Sequence, residues 1–104
     1  MKRLSIIFAF LATTAAADQV TELTDCYYVE GLRSLGIDHL RLPQSMQAQA
    51  VDLKQTLRGT ALEAVNFMRQ YNSIEMLNMG AALGAADSPE MRDAFQLCHY
   101  RVFE

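Results

Sequence analysis

Residues 44–71 read QSMQAQAVDLKQTLRGTALEAVNFMRQY. Within them Met46, Ala50, Leu53, Leu57, Ala61, Ala64, Met68 and Tyr71 recur at spacings of three and four. On an ideal helix these side chains fall within about 80° of arc, with Gln47, Asp52, Lys54, Gln55 and Arg58 off the stripe. The pattern predicts one long amphipathic helix that buries a single face. Unbroken, it would run about 40 Å at 1.5 Å per residue. Gly59 stands in its middle, where it could kink the helix or let another element approach closely.

Working outward, the rest of the chain also reads as helix. There are two prolines, β-branched residues are scattered, and no alternating strand pattern, repeat or low-complexity tract is present. A first helix is expected from Thr21 or Thr24, either of which can cap it, to Leu35, with Gly36 ending it. Leu23, Tyr27, Tyr28, Gly31, Leu32 and Leu35 share its apolar half. Glu22, Glu30 and Arg33 take the other half, and Cys26 lies at the polar border. GIDHLRLP (residues 36–43) connects to the second helix, and Pro43 is placed to open it. Asn72 and Ser73 mark a boundary. The third helix, SIEMLNMGAALGAA (residues 73–86), is apolar on two sides: Ile74, Leu77, Ala81, Gly84 and Ala85 on one, Met76, Met79 and Leu83 on the other. It therefore needs cover on both. Ser88, Pro89 and Glu90 start a fourth helix, whose inward stripe is Met91, Ala94, Phe95, Cys98 and Val102.

The first 19 residues, MKRLSIIFAFLATTAAADQ, carry the three parts of an export signal. Lys2 and Arg3 form the basic start, residues 4–12 the apolar centre, and Ala15, Ala16 and Ala17 the small residues before cleavage. The apolar run is too short to span a bilayer, which takes roughly 20 residues. Cleavage after Ala17 is expected, leaving residues 18–104 as a single helical domain in the periplasm or outside the cell. Removing 17 residues from 104 leaves 87. Lys2 and Arg3 leave with the signal, so the net charge moves from −3 to −5. That excess of acid argues against a nucleic-acid partner and against docking on anionic lipid.

Two cysteines remain, Cys26 and Cys98. In an oxidising compartment they are expected to pair, linking the N- and C-terminal helices of a compact all-α array of about four helices. A loop that long is worth about 4 kcal/mol in the chain-entropy model, a large share of a typical domain stability of roughly 5–15 kcal/mol. The neighbouring Cys98 and His99 do not read as a nucleophilic dyad, because adjacent residues on a helix diverge by about 100°. Met76 and Met79, with His99 or His39, are weak candidates for a soft metal ion; methionine more often fills core gaps. Zinc spacing, haem attachment, phosphate loop and nucleophile elbow are all absent, so neither an enzyme nor a cofactor is expected.

What remains is binding. The third helix is either the centre of a compact array or half-covered by another chain. Eighty-seven residues can wrap one short helix, which favours the first. The second would place a protein partner or a second copy against Met76, Met79 and Leu83, with Ile37, Leu40 and Leu42 of the connector as a further contact patch. The expected role is a non-enzymatic exported interaction protein: an accessory subunit, inhibitor, immunity factor or chaperone. The alternative is a small-ligand or copper or haem carrier using a Met-lined pocket between helices. In export, size, helicity and one cysteine pair the chain is similar to periplasmic acid-stress chaperones and some toxin-immunity proteins. It shares no motif with them, and the likeness implies no site residues.

Overall fold

The computed structural model describes residues 2–104, with side chains described for residues 16–80 and 83–104. The apolar run expected to form an export signal and Ala81 therefore lie outside the described side chains. The chain is all-helical in its described part: α1 (Lys2–Ser34), short 3-10 turns at His39–Arg41 and Gln44–Met46, α2 (Gln47–Tyr71), α3 (Ile74–Met79), the single turn α4 (Ala81–Gly84) and α5 (Pro89–Phe103). Among the described residues no helix is long and apolar enough to cross a membrane.

The first helix does not begin at Thr21 or Thr24. It runs continuously from Lys2, because the alanine-rich stretch before Asp18 contains no residue that opposes helix. Thr24 is a buried mid-helix residue whose hydroxyl donates to the Val20 carbonyl at 2.6 Å. Gly36 ends α1 as expected. Its φ of +76° lets the Ile37 amide reach the Leu32 carbonyl at 2.9 Å and its own amide reach Arg33 at 2.9 Å. This is the Schellman pairing that satisfies the last carbonyls of a helix.

α2 begins later than expected. Pro43 is extended, with ψ 147°, and caps the 3-10 turn Gln44–Met46 that winds into α2. The helix then passes through Gly59 without a break, and a Cβ there would meet nothing within 4 Å. Gly59 thus marks neither an interruption nor a close approach. Asn72 closes α2 in the left-handed region at φ 49°. Ser73 then caps α3 by accepting the Met76 amide, and Ser88 caps α5 by accepting the Met91 amide.

The third segment departs most from expectation. Gly80, at ψ −158°, divides it into α3 and α4, so Met76, Met79 and Leu83 do not form one helical face. Nor is this segment the centre of the array: Leu77 is buried, but Met76 and Met79 are exposed. The centre is α1, which packs against both α2 and α5. Val20, Leu23, Tyr27, Leu57, Ala61, Ala64, Val65, Leu77, Met91, Phe95 and Cys98 make the core. Because two helices cover α1, its buried arc is wide and takes in Cys26 and Glu30 as well as Leu23, Tyr27 and Leu32. Leu35, assigned to the buried half by periodicity, lies beyond the last turn and is 56% exposed.

Candidate functional site

Cys26 and Cys98 form a disulfide between α1 and α5, with 5.7 Å between Cα atoms and 72 residues between them in sequence. Cys26 reaches Cys98 because the polar border of α1 faces α5. Gly31, five residues on, would carry a Cβ 3.8 Å from Met91 Cε and 3.9 Å from Phe95 Cε1. At Gly31 the two helices therefore meet at ordinary contact distance.

One residue beyond Cys98 stands a buried polar triad. His99 is fully buried. Its Nε2 lies 2.5 Å from the Tyr27 hydroxyl of α1, and its Nδ1 lies 2.7 Å from Asn78 Oδ1 of α3. A neutral imidazole fits this geometry with no group left over: Nδ1–H donates to the Asn78 carbonyl oxygen, and Nε2 accepts the Tyr27 O–H. No buried side-chain nitrogen or oxygen among the described residues lacks a partner. The Tyr27 ring stacks on Phe95 at 4.1 Å between centroids and meets the His99 ring edge-on at 5.6 Å. Burial fixes the protonation states. Desolvation lowers His99 from 6.5 to about 4 and raises Tyr27 above its ordinary value. Both groups are neutral at pH 7, since burial penalises the charged form.

The triad is a three-way fastening of α1, α3 and α5. It explains how a helix of only six residues is held in place, with Leu77 buried beside Asn78. On the neighbouring surface Glu30 is bracketed by Arg33 at 2.9 Å and Arg101 at 3.6 Å. Arg101 also lies 3.8 Å from Cys26 Sγ, capping the disulfide. Glu30, placed on the outer half of its helix by periodicity, is thus buried by its two arginine partners.

Each expected site residue has a clear place. Met79 is 87% exposed and Met76 49% exposed, one helical turn apart on the outer side of α3. Leu83 is half-buried and packs against the core from α4. Ile37 is half-buried immediately after the Schellman turn, Leu42 is half-buried before Pro43, and Leu40 stands in the 3-10 turn largely exposed. His39 rests edge-on to Tyr28, 6.5 Å between ring centroids, with Nδ1 3.9 Å from Asp38. His99 has both nitrogens engaged in the triad, so it offers no free lone pair to a metal shared with Met76 and Met79.

The inward stripe expected for α5, Met91, Ala94, Phe95, Cys98 and Val102, leaves out His99, which is also buried. The signal was there: His99 stands four residues after Phe95 and eight after Met91, the spacing of one helical face. Tyr27 was placed inside, and a buried tyrosine hydroxyl requires a partner. Chemically, the arrangement holds polar groups neutral and mutually satisfied, and both thiols are consumed in the disulfide. Compared with known proteins, the chain matches no family model, no curated protein and no solved structure.

Proposed function

We propose that this chain is an exported, non-enzymatic interaction protein. In this reading it is processed after Ala17 to a domain of residues 18–104, acts in the periplasm or outside the cell, and engages a protein partner or a second copy of itself through Met76 and Met79. One observation carries the reading. Two methionines stand exposed on one side of a helix whose other side is fastened by Leu77 and the Asn78–His99 hydrogen bond. An apolar pair presented from an anchored helix loses little conformational freedom on binding, which favours affinity. Methionine adapts its shape to whatever it meets.

The disulfide supports an oxidising compartment. Cleavage after Ala17 would leave Asp18 at the new start of α1, where a carboxylate is favourable to the helix dipole. The carrier reading has less support. Met76 and Met79 project to solvent from α3, with Met79 the more exposed of the two.

A photo-crosslinking side chain placed at Met79 tests the proposal in the exported fraction of the native cell. It should give one discrete adduct, with the partner or with a second copy, that disappears with Met76→Ser. The same group at the exposed Asp93 should give none. Equal, diffuse labelling from both positions would refute the reading.

A further inference from the structure

We propose that the trough between α1 and α2 is a separate docking site for an acidic amphipathic helix of another protein. α2 carries two stripes. One is the core face through Leu57, Ala61 and Ala64. The other runs along its flank as Val51, Gln55, Arg58 and Leu62, at spacings of four, three and four, and leaves Val51 58% and Leu62 51% exposed. α1 faces this flank with Thr21, Asp25 and Tyr28 at spacings of four and three. The two helices run antiparallel here. Lys54 lies 3.3 Å from Asp25 and sits over the Tyr28 ring at 5.4 Å.

Three concavities of about 410, 470 and 300 Å³ follow one another along the line; the first is walled on α1 by Ala17 and Val20, and in the chain processed after Ala17 it is Val20 that holds that side. Gln55 and Arg58 form the shared rim of the first pair, and Val51 and Lys54 that of the second. The result is one continuous trough, mostly apolar in its lining. From Val51 to Leu62 it extends about 16 Å, or three helical turns.

The shape and the charge select the occupant. The trough is open along its length, whereas a small-molecule site buries 70–90% of its ligand. A helix laid between two helices fits an open trough by burying one stripe and leaving the rest in water. Val51 and Leu62 supply apolar contacts near the two ends. Lys54 is already neutralised by Asp25, but Arg58 has no carboxylate within 4 Å among the described residues. The Arg58 guanidinium at mid-trough is complementary to a carboxylate on the partner, a local match that works against the chain's overall excess of acid. The occupant is therefore a helix with apolar residues at i, i+4, i+7 and i+11 and a glutamate or aspartate beside the central pair.

The test uses the disulfide-intact protein and two labelled 18-residue helical peptides, with leucine at those four positions and either glutamate or lysine at the flanking ones. Binding is read by fluorescence anisotropy. The glutamate peptide should bind at least tenfold more tightly than the lysine peptide. Arg58→Glu should abolish that preference, and Leu62→Ser should weaken binding about tenfold. Met79→Ser should change nothing, which separates this site from the α3 surface. Circular dichroism confirms that each variant is folded. Equal affinity for the two peptides, or a preference untouched by Arg58→Glu, overturns the proposal. So does dodecanoate binding that depends on Arg58 while neither peptide binds, which would make the trough a small-amphiphile site. Self-association abolished by Leu62→Ser, without peptide binding, would assign it to a second copy.

Discussion

The buried imidazole of His99 makes folding stability depend on pH in a window set by its own titration. In the unfolded chain His99 takes its ordinary value near 6.5, and in the folded protein burial lowers it to about 4. Between those values the unfolded state binds more protons than the folded state, so stability falls as the pH falls. The contribution is complete above pH 6.5, declines from there, and is exhausted below pH 4. A difference of about 2.5 units at 1.36 kcal/mol each amounts to about 3 kcal/mol. Domains of this kind have roughly 5–15 kcal/mol in all.

The geometry gives the same sign. A protonated ring must donate from both nitrogens, so the Tyr27 hydroxyl would have to turn and accept, stranding its own proton in a fully buried position. Urea unfolding followed by circular dichroism at pH 7, 5.5 and 4 measures the effect, with His99→Gln as the reference. Glutamine keeps a neutral polar side chain, and every other side chain is common to both proteins. The variant is expected to be less stable than the parent at pH 7 and to close most of that gap by pH 4. A stability difference between the two that is constant from pH 7 to pH 4 would refute the argument that His99 is buried neutral.

Other consequences of the packing can be measured directly. Tyr27→Phe leaves His99 Nε2 buried without a donor and should cost about 1–3 kcal/mol in urea unfolding. Replacing both cysteines by serine should remove about 4 kcal/mol and lower the urea midpoint accordingly. Gly59→Ala should stabilise by roughly 0.5–1 kcal/mol, since the site is helical with open space around it, whereas Gly36→Ala should destabilise by roughly 1–2 kcal/mol because φ there is +76°; calorimetry of the pair should shift the melting temperature in opposite directions. Intact mass of the exported protein, alkylated before and after reduction, should show a chain starting at Asp18 with no free thiol until reduction.

Much of the architecture is legible in the amino-acid sequence. The stripe of α2, the glycine at the end of α1, the serine cap of α5 and the pairing of the only two cysteines all follow from local spacing and side-chain chemistry, which a sequence displays. The buried arc of α1 did not follow, because a helical wheel assumes one covered side. α1 is covered by two neighbours, and Cys26 and Glu30 are drawn inside by groups far away in sequence: Cys98, and Arg101 with Arg33. The break at Gly80 was also out of reach, since a glycine within an apolar run is compatible with a continuous helix. The Tyr27–His99–Asn78 triad joins three segments, and its existence depends on how those segments dock. Periodicity could place Tyr27 and His99 on inner faces, but nothing local to Asn78 identifies it as the acceptor.

The position of the disulfide sets the order of events during biogenesis. Cys98 follows Cys26 by 72 residues, so the bond cannot form until α5 has been made. At about 5–20 residues per second, Cys26 waits on the order of 4–14 s as an unpaired thiol. Its final environment, under Arg101 and against α5, does not yet exist during that wait. With one other cysteine in the chain there is only one internal bond to make, so the chain has no mispaired isomer to resolve. The sole wrong product is a bond to another molecule, and its rate rises with the concentration of nascent chains.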